Sequence, residues 1–296
     1  MVVEAVSSRF DRIISSDATL EKITDGHIFT EGPVWNSRDK SLTYVDIIGD
    51  TIWNWQEGIG KRVLRQPSGK VNGLTFDKQG RLLIAGWNSR NITRLNPEGT
   101  ITVLASQFEG KKLNCPNDIV ARSDGTIFFT DPAGGLSYVG MGVDDLQQYL
   151  DFSGVYRLEP EDGSITLLTD EVPRCNGLAF SPDESLLYIS DTGQYHIKVF
   201  DVDPHGTLRK GRIFAELKGK EEGVLDGMKV DVEGHVYCTG PGGIWVLDPD
   251  GICLGRIRIP GHASNLAWGE DDWRTIFISA RSSVYRIRLN IQGIPV

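Results

Sequence analysis

Six residues, Glu31, Asn72, Asn117, Asn176, Asp226 and Asn265, each open a copy of one recurring phrase. Every one carries a carboxylate or a carboxamide, where an arbitrary set of polar residues would include Ser, Thr, Lys and Arg. Copies related by rotation about one axis would bring all six side chains to one mouth. Two carboxylates and several amide carbonyls converging there make a hard, oxygen-rich site. Such a site suits Ca²⁺, which takes about 6–8 oxygens and fills gaps with water. The two negative charges would otherwise repel and raise a pKa, and a divalent cation removes that conflict. Asn and Asp also cap turns by bonding local backbone, a use open to Asn72 and Asn265. Glu is a poor turn residue, so Glu31, Asn176 and Asp226 together point to a site.

The elements that must position these residues are short strands. The phrase is a polar residue, a small or turn-compatible residue, an apolar run, a polar turn and a second apolar run. Its turns are SRDK, DKQG, SDG, SPDE, DVEG and GEDD. Successive opening residues are 41, 45, 59, 50 and 39 apart. A strand-rich repeat of about 40–50 residues is the signature of a propeller blade. Third strands follow as DTIWNW, NITRL, GVYRL, HIKVF, GIWVL and SVYRI. The expected fold is therefore an all-β, six-bladed β-propeller, with four-stranded antiparallel blades around a central channel. It forms a single domain over 1–296, and ring closure removes exposed edges. The first 25 or so residues are expected to lend an outer strand to the last blade. Helix is expected only within 5–15 and over Asp144–Leu150. The long third interval carries an insertion at 133–153, a candidate loop over one face.

Composition narrows the function. Asp+Glu total 40 against 31 Lys+Arg, a net charge of −9. This argues against a nucleic-acid partner, which needs a basic face. No stretch approaches the roughly 18 apolar residues of a membrane span. The N-terminal residues lack a basic, then apolar, secretory pattern. The four cysteines (115, 175, 238, 253) show no CxxC or paired zinc spacing and read as reduced, buried thiols. Together these point to the cytoplasm. There is no GxSxG elbow and no HExxH. The five histidines (27, 196, 205, 235, 262) lack ligand spacing and the seven tryptophans read as packing.

The chain resembles the senescence marker protein (regucalcin)/gluconolactonase family of six-bladed propellers, which also includes a diisopropyl fluorophosphatase. The carriers are EGPVW at 31–35, CPNDIVARSDGTIFFTDP at 115–132, NGLAFSPDESLLYISDT at 176–192, DGMKVDVEGHVY at 226–237 and the NLAWGEDD…IFISA ending. The resemblance implies one divalent metal at the channel mouth, usually calcium, with Zn²⁺, Mn²⁺, Mg²⁺ or Fe²⁺ as alternatives. Its implied ligands are Glu31, Asn176 and Asp226, with Asn117 as a fourth ligand or a substrate contact. Asn72, Asn265 and Cys115 are further candidate substrate contacts. Some members carry an arginine where Cys115 stands, so recognition through that side chain is absent here.

The implied reaction is hydrolysis of a small-molecule lactone, an aldonolactone. The metal would act as Lewis acid and Asp226 as base or nucleophile. A carboxylate bound to a dication is a poor base, and sequence does not choose among base, nucleophile and an ion-activated water. An organophosphate hydrolase on the same site and a non-catalytic calcium-binding propeller are the alternatives.

Overall fold

The computed structural model describes residues 2–137 and 143–296. Six antiparallel sheets follow one another along the chain as blades 1 to 6. Their innermost strands are Thr30–Asn36, Leu74–Phe76, Ile119–Ala121, Cys175–Phe180, Met228–Val230 and Ala263–Gly269. Each inner strand contacts the inner strands of both neighbouring blades, and that of blade 6 contacts that of blade 1, so the ring closes.

The second strands carry the core. Ser41–Asp46, Ile127–Asp131, Val236–Gly240 and Thr275–Ala280 are buried along their whole length. Each is covered on both faces by neighbouring blades, which explains their near-continuous apolar reading. Outer strands such as Gly60–Arg65 lie on the rim and are mostly exposed. The polar turns act as anticipated. Asp77 Oδ1 accepts the N–H groups of Gln79 and Arg81 at 3.0 and 2.9 Å, and Asp231 Oδ1 does the same for Glu233 and His235 at 2.9 and 3.0 Å. A side chain thus supplies the acceptor that fixes each hairpin turn.

The N-terminus closes the ring as anticipated, and does more. Glu21–Thr24 pairs with Ser283–Arg288 as the outer strand of blade 6. Val3–Ala5 also pairs with Cys253–Arg258, so blade 5 has five strands. Between them the helical turn expected within 5–15 is a 3₁₀ helix, Ser8–Arg12, with Ser7 as N-cap. Its Phe10 is fully buried against the bare backbone of Gly255.

Helix is absent at Asp144–Leu150, which the sequence favoured. The polar groups of this stretch bind the body instead. Asp144 N donates to Asn88 Oδ1 at 2.7 Å, and the Asp145 carboxylate meets Arg90 at 3.2 Å and Lys112 at 2.9 Å. Tertiary ion pairs outweigh a short helix, which is marginal on its own. Residues 138–142 of the insertion lie outside the described residues. A two-stranded hairpin, Gln107–Phe108 with Lys111–Lys112, links blades 2 and 3 and was not anticipated.

Aromatic pairs join the blades. Trp35 stacks on Phe277 at 5.2 Å, Phe128 meets Phe180 edge-on at 4.9 Å, and Tyr237 meets Trp268 edge-on at 5.1 Å. Trp268 also donates its indole N–H to Val230 O at 3.0 Å, tying blade 6 to blade 5. Trp268→Ala should therefore lower the unfolding free energy by about 3–5 kcal/mol, through lost burial and the cavity left behind. Denaturant titration followed by circular dichroism checks this. A loss under about 1 kcal/mol would show that the blade junction does not depend on this ring.

Candidate functional site

A bulge aims the opening residues at the axis. In blade 4 the ladder runs Cys175↔Asp191, then Leu178↔Ile189, leaving Asn176 and Gly177 out of register. Blade 1 breaks its ladder just after Glu31, which still pairs with Val45, and leaves Gly32 and Pro33 out of register before Val34. A residue freed from the ladder can point where a regular strand would not send it.

The glycines that follow let neighbouring blades touch at this level. Gly177 N donates to Asp226 O at 3.1 Å, and Gly73 N donates to Asn117 O at 2.7 Å. A Cβ on Gly177 would lie 2.3 Å from Asp226 O, and one on Gly73 would lie 2.4 Å from Asn117 O. Only a residue without a side chain fits. Hydroxyls on the second strands complete the stitching, with Thr130 Oγ1 donating to Asn176 O at 2.7 Å and Ser190 Oγ to Asp226 O at 2.8 Å. The backbone that binds the blades together is thus the backbone that carries the site.

Register revises the sixth member. Leu266 pairs with Ile278 as Leu178 pairs with Ile189, so Ser264, not Asn265, is the counterpart of Asn176. Asn265 takes the glycine position, and so does Asp118 in blade 3. Both bond the next N–H, Asn265 Oδ1 to Leu266 N at 2.8 Å and Asp118 Oδ1 to Ile119 N at 2.9 Å. They form a second tier beneath the ring.

Glu31 and Asp226 come together, both buried. Glu31 Oε2 accepts from Gly32 N at 2.8 Å and its carboxylate also meets the Asn265 side chain. Burial, and then the charge of Asp226, push the Glu31 carboxyl well above its ordinary range. Burial also raises Asp226, against hydrogen bonds from His262, Asn176 and Glu31 that hold it down. His262 Nε2 lies 3.8 Å from Asp226 Oδ2. Asp118 is buried nearby and is likewise raised by its desolvation.

Asn176 donates its amide to Thr192 Oγ1 at 3.1 Å, which leaves its Oδ1 buried with no protein partner. Asn72 Oδ1 is buried and unpartnered as well. Orphaned acceptors beside two crowded carboxylates suit a hard cation, which would satisfy oxygens that nothing else reaches. Among the described residues no group of three or more His, Cys, Asp or Glu could hold a metal. The donors are instead a pair of acids with carboxamides, a set that favours calcium-like over zinc-like chemistry.

Asn117 is buried and lines a cavity with Asn176, Thr192, Trp87 and Arg174. Cys115 is fully buried against Gly135, its thiol pushed up to about 12 by desolvation, and it offers a ligand no surface. Cys175 is buried too. The sequence reading passed over His262, Asp118 and Ser264. One signal was present for the first: His262 stands two residues before Ser264, the offset that also places Arg174 before Asn176.

A six-bladed propeller with a buried acid–carboxamide cluster on its axis is the class of protein these features define. The chain belongs to the SMP-30/Gluconolactonase/LRE-like family, whose model matches residues 29–282. It is 32% identical to a gluconolactonase of Zymomonas mobilis subsp. mobilis, over 97% of this chain and 86% of that one. It is 28% identical to regucalcin of Danio rerio, over 84% of this chain and 82% of the other. The solved gluconolactonase of Xanthomonas campestris superimposes with a TM-score of 0.91 at 32% identity, covering 98% of this chain and 95% of that one.

The crowded acids make a prediction for the metal-free protein. A carboxyl raised in the fold above its unfolded value stabilises the fold while protonated. That contribution is lost as pH climbs from the unfolded value of 4.5 through the raised folded one. Glu31→Gln removes the charge. It should raise the Tm at pH 8 in chelator by several degrees, while abolishing the further rise expected for the wild type on adding Ca²⁺. Thermal scans of both proteins with EDTA and with Ca²⁺ read this directly. A variant that loses stability in EDTA yet still responds to Ca²⁺ contradicts the account.

Proposed function

We propose that this protein is a metal-dependent lactonase that opens an aldonolactone to its hydroxy acid. Glu31, Asn176 and Asp226 hold one divalent ion, Ca²⁺ by preference, with Asn117 as a fourth ligand or a contact to substrate. The observation that carries the reading is the pairing of two buried carboxyls, both raised chiefly by burial, with an orphaned Asn176 Oδ1. Its membership of a family with gluconolactonases at 32% identity supports the substrate class.

When bound, the ion supplies a Lewis acid for the lactone carbonyl oxygen. The side chains do the rest. Asp226 sits at the axis with its backbone fixed on both sides, its N–H donating to Thr239 Oγ1 at 2.9 Å. From there its carboxylate orients a water molecule and takes its proton as the water oxygen bonds the carbonyl carbon. The ring C–O bond then breaks, and the departing oxygen receives that proton. His262, close to Asp226 Oδ2 and packed beside Phe29 with ring centroids 5.9 Å apart, holds the carboxylate in place. Asn117 and Asn176 have both amide donors and carbonyl acceptors, so one edge can face the ion and the other the substrate.

The decisive experiment strips the protein with chelator and assays gluconolactone beside a fluorophosphate, with each divalent ion added back. Lactone opening should vanish on stripping and return with Ca²⁺. Turnover of the fluorophosphate alone would replace the reading with organophosphate hydrolysis. Activity untouched by chelation would remove the ion from the chemistry. Asp226→Asn keeps an oxygen ligand but cannot accept a proton. It should cut kcat by about 10³-fold or more while Ca²⁺ binding by calorimetry stays within about tenfold. Near-full activity in that variant would exclude Asp226 from the chemistry.

A further inference from the structure

Three segments that wall the cavity beside Asn117 and Asn176 meet at one buried cation, Arg90. The first is its own turn in blade 2, which carries Trp87 and is closed by Arg90 N donating to Gly86 O at 2.7 Å. The second is the connection from blade 2 to blade 3, which runs through Asn114 to Asn117. The third is the insertion, which opens with Gly134 and Gly135 on the cavity wall and returns through 144–150.

The guanidinium gives each edge to a different carbonyl or carboxylate. Nε donates to Asn114 O at 2.7 Å and Nη2 donates to Gln147 O at 2.8 Å. Nη1 lies 3.2 Å from the Asp145 carboxylate, and the Tyr149 ring covers the guanidinium with its centre 5.2 Å from Cζ. The Arg90 side chain is only 4% exposed. Taking a group of fixed charge out of water is costly. Asp145 stays near the surface, where an ion pair contributes little, so the burial serves the two carbonyls.

Asn114 is itself a junction. Its N–H donates to Asp131 Oδ2 at 2.8 Å and its side-chain amide donates to Phe152 O at 2.9 Å, so it grips both ends of the insertion. Ala133 N, donating to Ser153 Oγ at 3.0 Å, closes the same base. The insertion is thus held at its base within blade 3 and along its return by Arg90. Gly135 shows how closely the three segments are drawn together: a Cβ there would come within 2.7 Å of both Cys115 Cβ and the Trp87 ring.

We infer that Arg90 is a positioning residue for lactone opening. It draws the blade 2 turn, the connection before Asn117 and the insertion into one wall, and so fixes the width of the cavity that seats the substrate. The inference rests on the lactonase reading and adds to it a residue that touches neither the lactone nor the ion. Glu31 and Asp226 stand on blades 1 and 5, outside the reach of this grip.

Arg90→Met keeps most of the stem and removes every edge of the fork. With glucono-δ-lactone its KM should rise about tenfold, with kcat within about threefold and the calorimetric Kd for Ca²⁺ within about twofold, the split expected when seating is lost and the reacting groups are kept. Arg90→Lys should recover only part of the loss, since a point charge cannot hold three segments at once. Asp145→Asn, a surface change that leaves the fold intact, should give a smaller rise in KM. Combining it with Arg90→Met should add nothing, because the two side chains act through one contact. Hydrogen exchange at 113–117 and 144–150 should quicken in each variant.

Faster exchange there with an unchanged KM would reduce Arg90 to a structural tie and overturn the inference, as would a loss of kcat at constant KM. Should Arg90→Met fail to fold, Asp145→Asn decides alone, and an unchanged KM in it overturns the inference. A wild type that opens no lactone overturns the lactonase reading and this inference with it. An active wild type whose variants keep its KM overturns this inference only.

Discussion

Two carboxylates held side by side out of water raise the free energy of any fold that contains them, unless a proton or a cation offsets the charge. Glu31 and Asp226 are in that position, and most of this protein can be read as the means of keeping them there. They come from blades 1 and 5, far apart in sequence, and neither has a basic partner that neutralises it within its own blade. Asn265 faces Glu31, while His262 and Asn176 face Asp226, which lowers the cost without removing it. The arrangement costs stability in the empty protein, a cost that the proposed divalent ion would offset.

A propeller suits such a strained cluster because rigidity at its axis comes from backbone, not from the functional side chains. The amides of Gly73 and Gly177 donate across blade boundaries to carbonyls of Asn117 and Asp226, and hydroxyls of Thr130 and Ser190 bond the same tier from beneath. Some side-chain oxygens of the ring are thereby left free of structural duty. That freedom is visible in the unpartnered Asn72 and Asn176 oxygens. Further out, the double N-terminal closure onto blades 5 and 6 locks the ring whose axis must hold two like charges.

The walls of the mouth show a division of labour among equivalent positions. Two residues before each ring member stand Phe29, Lys70, Cys115, Arg174, Val224 and His262. Their fates differ. Cys115 turns inward against Gly135, His262 turns to Asp226, and Arg174 lies over Gly193 toward the cavity. Symmetry places all six at one level, and local packing decides where each one turns.

The amino-acid sequence by itself determined the number of blades, their order and five of the six ring positions, from Glu31 to Asp226. These follow from periodicity, and a closed ring of similar units converts equal places in the phrase into equal places around an axis. The blade-closing strand near residue 25 was legible for the same reason. The sixth position was not, because the carboxamide of Asn265 marks the neighbouring residue, whereas pairing of Leu266 with Ile278 sets Ser264 on the ring. Nor could sequence show His262 beside Asp226, Arg174 across Gly193, or Asp144–Leu150 held as an extended strap by ion pairs. Each depends on which neighbour arrives from another part of the chain. Only closure of the ring decides that, since it sets at ångström scale the distances on which charge and hydrogen bonding act.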